Sequence, residues 1–354
     1  MIRSLAVLLL FVVVLPRHTA ADSRLPQIAA AAAESDDAAV RAAFDLLTRG
    51  EYEAAAAAFR QAVERTPGLA SAYFGLGLSL ASLHRYRDAA DAFTRATTLK
   101  PDLVAGHLNL GLARRQLGDQ QAALAAFTEA ARIAPRDPRT HLQLGLTFNT
   151  LGRYADAIAA FTKAIELAPD AAAYLGVGIA RANVGQYAAA IEALTHATAL
   201  DPSLVDAHLT LGATYGNIDR WPDALASLRR AVEIAPKNRD AHYSLAKALV
   251  KVGRPDEAAG EYQQAIALRP NDPEAYYQLG LTLVDLRRTT DAAGAFAEAV
   301  RQRPGYAAAI FNLALANHAL GRTDEARAQQ RVLAEIDANL ARQLESLLAR
   351  KPGS

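Results

Sequence analysis

Four histidines are the first residues in this chain whose spacing could do chemistry. His107 and His141 stand 34 residues apart, and so do His208 and His242. Imidazole is a common ligand of transition metals, so a regular series of histidines raises the question of a metal site. A zinc site, however, takes its ligands in close local pairs, such as i, i+4 on one helix, and completes them with carboxylates or thiolates. These histidines have no such pairing, and His84, His196 and His318 form no cluster with them. They read as packing residues, and no metal or cofactor is expected. Cysteine is absent, which excludes disulfides, thiol chemistry and a lipidated N-terminal cysteine.

Carboxylates give no better case for catalysis. Asp256-Glu257 and Asp324-Glu325 stand at the starts of helical segments, where negative charge favours the helix dipole. The chain has no strand–glycine loop–helix context for nucleotides and no Gly-x-Ser-x-Gly elbow. No Ser/His/Asp set stands apart from the repeating pattern described below. The expectation is a protein that is not an enzyme. One pair of cations is different: Lys247 and Lys251 are spaced i, i+4, so on a helix both can address one ligand.

The elements that must position these residues are set by proline. Pro67, Pro101, Pro135, Pro169, Pro202, Pro236, Pro270 and Pro304 follow one another at steps of 34 residues, with a single step of 33 before Pro202. A fixed period of this size marks an array of one supersecondary unit. In the unit 138–171, His141, Leu144, Gly145 and Phe148 form an i, i+3, i+4, i+7 stripe. Gly152 and Arg153 interrupt it, and Tyr154, Ala157, Phe161, Ala164 and Ile165 form a second stripe. Each unit is therefore a helical hairpin with a turn glycine. Asp137-Pro138 and Asp272-Pro273 read as helix starts, a capping carboxylate followed by proline. The eighth slot of each unit is small (Gly77, Gly111, Gly145, Gly178, Gly212, Ala246, Gly280, Ala314), and the twentieth is alanine throughout. The twenty-fourth is large (Phe59, Phe93, Phe127, Phe161, Leu194, Leu228, Tyr262, Phe296), the size alternation that close helix packing needs.

With these slots in place the chain resembles the tetratricopeptide repeat (TPR) family, whose unit is a 34-residue helix–turn–helix with the same small, aromatic and proline positions. The resemblance implies an all-α fold, an α-solenoid in which helix–turn–helix repeats wind into a right-handed superhelix. Nine copies follow: 36–69, 70–103, 104–137, 138–171, 172–204, 205–238, 239–272, 273–306 and 307–340. The chain departs from the family at the fourth slot, where tryptophan is replaced by tyrosine, histidine or isoleucine. The first copy is eroded (Ala39, Ala42, Ala43), and the ninth carries Gln330 for the aromatic and Ala338 for the proline. Terminal repeats face solvent and erode for that reason. The 33-residue step is expected to be absorbed in the turn after Pro169. From Ile336 a stripe of Ile336, Leu340, Leu344 and Leu347 reads as a capping helix, so that 341–354 holds a cap and tail.

Residues 1–21 read as a signal peptide: Arg3, an apolar run from Leu5 to Leu15, Pro16, and small residues at Thr19 and Ala21 for cleavage before Asp22. The run is too short to span a bilayer. Residues 22–35 read as a short leader. The expected location is therefore exported, periplasmic or secreted, with no membrane span after cleavage. Lys plus Arg is 38 and Asp plus Glu 37, with 51% apolar residues. This near-balance gives no basic footprint for nucleic acid and no polybasic membrane patch.

The resemblance further implies that first helices line a concave groove through their second, fifth, ninth, twelfth and thirteenth slots. On this chain those slots place Phe74, Leu78, Asn109 (sixth slot), Leu112, Arg115, Leu142, Leu146, Asn149, Asn183, Tyr243, Lys247, Lys251, Tyr277, Leu281 and Phe311 along the groove. The fifth- and ninth-slot residues either floor the groove or pack neighbouring first helices against each other. The family's lysine–asparagine carboxylate clamp is absent from every repeat, and only Asn109 and Asn312 match an asparagine ladder at the sixth slot. Near Tyr243, Lys247, Lys251 and Tyr277, Ala213 and Gly216 leave room for a ligand. The expected function is an exported scaffold binding a protein or peptide partner, in envelope assembly or complex organisation. The alternatives are a carbohydrate- or cell-wall-binding accessory protein and a non-catalytic subunit of an enzyme complex.

Overall fold

The computed structural model describes residues 37–349. The expected signal peptide and leader, and residues 350–354, lie outside the described residues. Those described form nineteen helices and no strand: α1 (Ala38–Thr48), α2 (Tyr52–Arg65), α3 (Ala70–Ser82), α4 (Tyr86–Leu99), α5 (Val104–Gln116), α6 (Gln120–Ile133), α7 (Pro138–Thr150), α8 (Tyr154–Leu167), α9 (Ala171–Asn183), α10 (Tyr187–Leu200), α11 (Val205–Asn217), α12 (Trp221–Ile234), α13 (Arg239–Lys251), α14 (Pro255–Leu268), α15 (Pro273–Asp285), α16 (Thr289–Gln302), α17 (Ala307–Ala319), α18 (Thr323–Ile336) and α19 (Ala338–Leu348). Odd-numbered helices up to α17 are the first of a hairpin and even-numbered ones up to α18 the second. The fold is an all-α solenoid.

Three residues connect the helices of every hairpin, and the middle one is always left-handed. Six are glycines (Gly50, Gly118, Gly152, Gly185, Gly253, Gly321) with φ between 71° and 79°, and the other three are His84, Asp219 and Arg287 at 57° or 58°. Connections between hairpins are four residues long except after α8, where Ala168, Pro169 and Asp170 suffice. The 33-residue step is thus absorbed in that turn, and Asp170 still caps α9 by accepting from the Ala173 N–H at 2.9 Å. Asp37, Asp137, Asn238 and Asp272 cap α1, α7, α13 and α15 through their side chains. Each such cap is worth about 1 kcal/mol.

Two compact units divide the chain, one ending at Gly176 and the other beginning at Val177, inside α9. In the first, Phe44, Phe59, Phe74, Phe93, Phe127 and Phe161 are buried. Phe44 meets Phe59 edge-on at 4.8 Å between centroids, and Phe74 meets Phe93 at 5.8 Å. The eighth-slot glycines are required by these rings. A Cβ on Gly111 would lie 2.5 Å from the Phe127 ring, and one on Gly145 2.6 Å from Phe161.

In the second unit Leu194, Leu228, Tyr262 and Phe296 occupy the same large slot and are equally buried. The last repeat is capped by α19, with Leu344 of the stripe read from the sequence in the core, Leu340 and Leu347 half-buried, and Ile336 outside it. Helix α18 ends at Ile336, Asp337 turns the chain, and its carboxylate caps α19 by accepting from the Asn339 and Leu340 N–H groups at 3.0 and 2.9 Å. Ala341 and Leu344 are buried against Ile310, Ala314 and Leu333, while Ile336 is left 43% exposed.

Candidate partner-binding face

The fourth-slot histidines have a shared backbone role. His107, His141, His208 and His242 each direct Nε2 to the carbonyl oxygen of the proline six residues earlier, at 2.9, 2.9, 3.2 and 2.9 Å. The ring N–H donates to the carbonyl of Pro101, Pro135, Pro202 or Pro236 and ties the inter-repeat turn to the next first helix. His242 also sets Nδ1 2.6 Å from Glu261 Oε2. Among the described residues no group of three or more His, Cys, Asp and Glu side chains could hold a metal.

On the first-helix face of the first unit, Phe74 and Leu78 are 1% exposed and belong to the core. They pack neighbouring helices and line no surface. Asn109 is also buried and donates to the Ala105 carbonyl at 2.8 Å. Leu112, Leu142 and Leu146 are half-buried. The polar side of this face is consumed internally: Arg115 donates to Gln143 Oε1 at 2.7 Å and Asn149 to the Gly176 carbonyl at 3.3 Å. Burial lowers the Arg115 guanidinium below its ordinary value. Its twelfth slot reaches the sixth slot of the next repeat, which sets how adjacent first helices are staggered.

The second unit differs. Asn183 is exposed and back-bonds to Ile179 O at 2.9 Å, apart from the groups that follow. Around α13, α15 and α17, half-buried rings, amides and charges converge. Tyr277 packs on Tyr306 at 5.0 Å and on Phe296 at 5.9 Å. Glu274 accepts from the Tyr306 hydroxyl at 2.6 Å and from Gln278 Nε2 at 3.0 Å, while Asn312 reaches the Tyr277 hydroxyl at 3.4 Å. The Arg239 guanidinium lies 4.3 Å from the centroid of the Tyr243 ring and bridges to Asp240 and Asp272. Burial, then the Glu274 charge, push the Tyr243 phenol up to about 12. Tyr277 and Tyr306 move up for the same leading cause, burial, and Tyr306 also because its hydroxyl bonds to Glu274. All three therefore present neutral hydroxyls. Leu281 and Phe311 are half-buried on the same face.

Lys247 and Lys251 are both exposed. The Lys251 ammonium lies 5.9 Å from the centroid of the Trp221 ring, and Lys247 makes no hydrogen bond or ion pair among the described residues. The room expected at Gly216 is already filled, because a Cβ there would stand 2.9 Å from Trp221 Cζ3. Trp221 in turn donates from its indole nitrogen to Asp219 Oδ1 at 3.2 Å. Sequence reasoning passed over Trp221, Glu274 and Tyr306. The signal for Trp221 was available, since it is the chain's one tryptophan and stands where four other repeats carry tyrosine. Glu274 and Tyr306 gave none, since their meeting depends on how two consecutive hairpins stack.

The arrangement can hold a chain by rings, amides and cations, and it carries no nucleophile paired with a base. A family model described as the cilia and flagella-associated protein 70 C-terminal domain matches residues 103–330, and a tetratricopeptide repeat model matches residues 40–103. No curated protein matches. Among solved structures, the APC/C hetero-tetramer Cut9–Hcn1 is similar at 19% identity over 80% of this chain and 56% of that one, with a TM-score of 0.54. PilF from Pseudomonas aeruginosa is similar at 17% identity over 59% of this chain and 97% of its own, with a TM-score of 0.51. YrrB, described as a TPR protein with an unusual peptide-binding site, is similar at 28% identity over 54% of this chain and all of its own, with a TM-score of 0.49. The TPR fold is in general a non-catalytic scaffold that binds protein partners, and this chain belongs to the tetratricopeptide repeat family.

Proposed function

We propose that the protein is an exported scaffold that holds an extended segment of a partner protein against the first-helix face of α13, α15 and α17. One observation carries this reading. Fifth- and ninth-slot residues of the first unit are core at Phe74 and Leu78 and half-buried but only aliphatic at Leu112, Leu142 and Leu146, whereas Tyr243, Lys247, Tyr277, Leu281 and Phe311 keep ring, alkyl and ammonium surface at the face. Rings with neutral hydroxyls and nearby amides suit a polypeptide, whose backbone both donates and accepts hydrogen bonds. Export is supported by the sequence of residues 1–21. Intact mass of the mature protein tests export, with Asp22 as the expected first residue and retention of Met1 the contrary result. For the face, replacing Tyr277 and Leu281 with alanine should lower retention of the partner polypeptide on immobilised protein. Retention unchanged in a folded double variant would remove the face from the account.

A further inference from the structure

The proposed face is uneven in charge, and the unevenness follows α13. Tyr243, Lys247 and Lys251 recur every fourth residue, so they form one stripe along the helix with its last member beside Trp221. Lys247 is the only charged residue at the ninth slot in any repeat. Several cations elsewhere in the array pair with a carboxylate three residues on, as in Arg85–Asp88, Arg153–Asp156, Lys163–Glu166, Arg220–Asp223 and Arg288–Asp291. Lys247 and Lys251 form no ion pair among the described residues. Glu274, the carboxylate of α15 whose charge reaches Tyr243, has both oxygens committed to Gln278 and Tyr306. Asp285 is exposed on the same helix as Glu274 and pairs with neither lysine.

The spacing identifies what would complete the stripe. Four residues of α-helix advance about 6 Å. Two residues of extended chain advance about 6.7 Å and return to the same face. An extended segment laid along α13 therefore presents side chains i, i+2 and i+4 in step with Tyr243, Lys247 and Lys251. We propose that the partner segment is acidic and alternating: an apolar side chain on Tyr243, then carboxylates two residues apart on Lys247 and Lys251. This rests on the scaffold reading above and adds the chemistry of the occupant. The carboxylates come from internal Asp or Glu side chains rather than a chain terminus.

The sole tryptophan supplies the readout, because Trp221 lies beside Lys251. Three pools of blocked, tryptophan-free decapeptides would be titrated into the intact protein while Trp221 fluorescence is followed. One pool carries Leu-x-Glu-x-Glu, one Leu-x-Gln-x-Gln, and one the same composition with the two glutamates adjacent. Two exposed ion pairs contribute up to about tenfold in affinity at low salt. The alternating acidic pool should bind at least fivefold more tightly than either other pool, and K247Q/K251Q should erase the difference between the alternating acidic and glutamine pools. Equal binding of the alternating and adjacent acidic pools would overturn the register. Equal binding of the acidic and glutamine pools would overturn the acidic occupant and leave the polypeptide-binding face standing. Failure of all three pools, with polyglucuronate perturbing Trp221 instead, would overturn both readings in favour of an anionic polysaccharide.

Discussion

Replacing Arg287 by glycine should stabilise the hairpin of α15 and α16. All nine intra-hairpin turns place their middle residue at positive φ, and six of the nine are glycine. Arg287 sits at 57°. A side chain in that region costs about 1–2 kcal/mol from contact between Cβ and the following carbonyl. Glycine would remove that strain but lose about 0.5–1 kcal/mol through its freer unfolded chain. The difference is a net gain of about 0.5–1 kcal/mol, or about two- to fivefold in an opening equilibrium. Arg287 is the informative position because its side chain is exposed and makes no contact that offsets the strain. His84 keeps Nδ1 2.8 Å from the Tyr86 hydroxyl, and Asp219 receives the Trp221 indole N–H, so H84G and D219G lose a hydrogen bond and gain less. Native-state hydrogen exchange is the suitable assay, since an array opens repeat by repeat and a single melting temperature blurs the effect. Amides of α15 and α16 should gain two- to fivefold protection in R287G, on the order of the factor just derived. Unchanged or weaker protection would refute the assignment of strain to this turn.

Other perturbations bear on other parts of the account. Gly111→Ala drives a methyl into the Phe127 ring and should cost about 1–3 kcal/mol by denaturant titration. Asp272→Ala removes the carboxylate that caps α15 through the Ala275 N–H at 3.1 Å and that pairs with Arg239, itself only 16% exposed. Loss of the cap and of one of the two ion pairs of the half-buried Arg239 should together cost about 1–3 kcal/mol, whereas Asp240→Ala, on the exposed side of the same guanidinium, should cost under about 1 kcal/mol. Tyr243 titrates at about 12 in the folded protein against an ordinary 10.0, so the folded state holds its proton more tightly. The stability this gives is complete below pH 10, the ordinary value, and is lost as pH rises through about 12. Y243F should flatten the alkaline limb of a stability–pH curve measured by urea titration.

The repeat was legible because each slot is sampled many times over. A glycine facing a phenylalanine could be chance once, but not at Gly77, Gly111, Gly145 and Gly280 with Phe93, Phe127, Phe161 and Phe296. The turn that absorbs the missing residue was legible for the same reason, since second-helix slots stay in phase with Pro202. Burial at a given slot was not. Phe74 and Phe311 hold the same slot, yet one is core and the other half-buried, because exposure depends on the size of residues from neighbouring hairpins. The histidine-to-proline-carbonyl bonds were hidden because they join side chain to backbone, and no sequence pattern encodes the acceptor. Asp337 was equally hard to read: it interrupts an apolar stripe that continues in register, and only its capping geometry shows that α18 and α19 are separate helices.

The claim that a partner polypeptide lies on the first-helix face is tested most directly by photocross-linking from single positions. A benzophenone amino acid would be placed at Leu281 on α15 and, as a comparison, at exposed Gln263 on α14, in otherwise intact protein. Irradiation in an extract of the source compartment should give a protease-sensitive adduct at Leu281 that K247E/K251E weakens, and none at Gln263. An adduct at Gln263 with none at Leu281 would place the partner on the second helices and contradict the account.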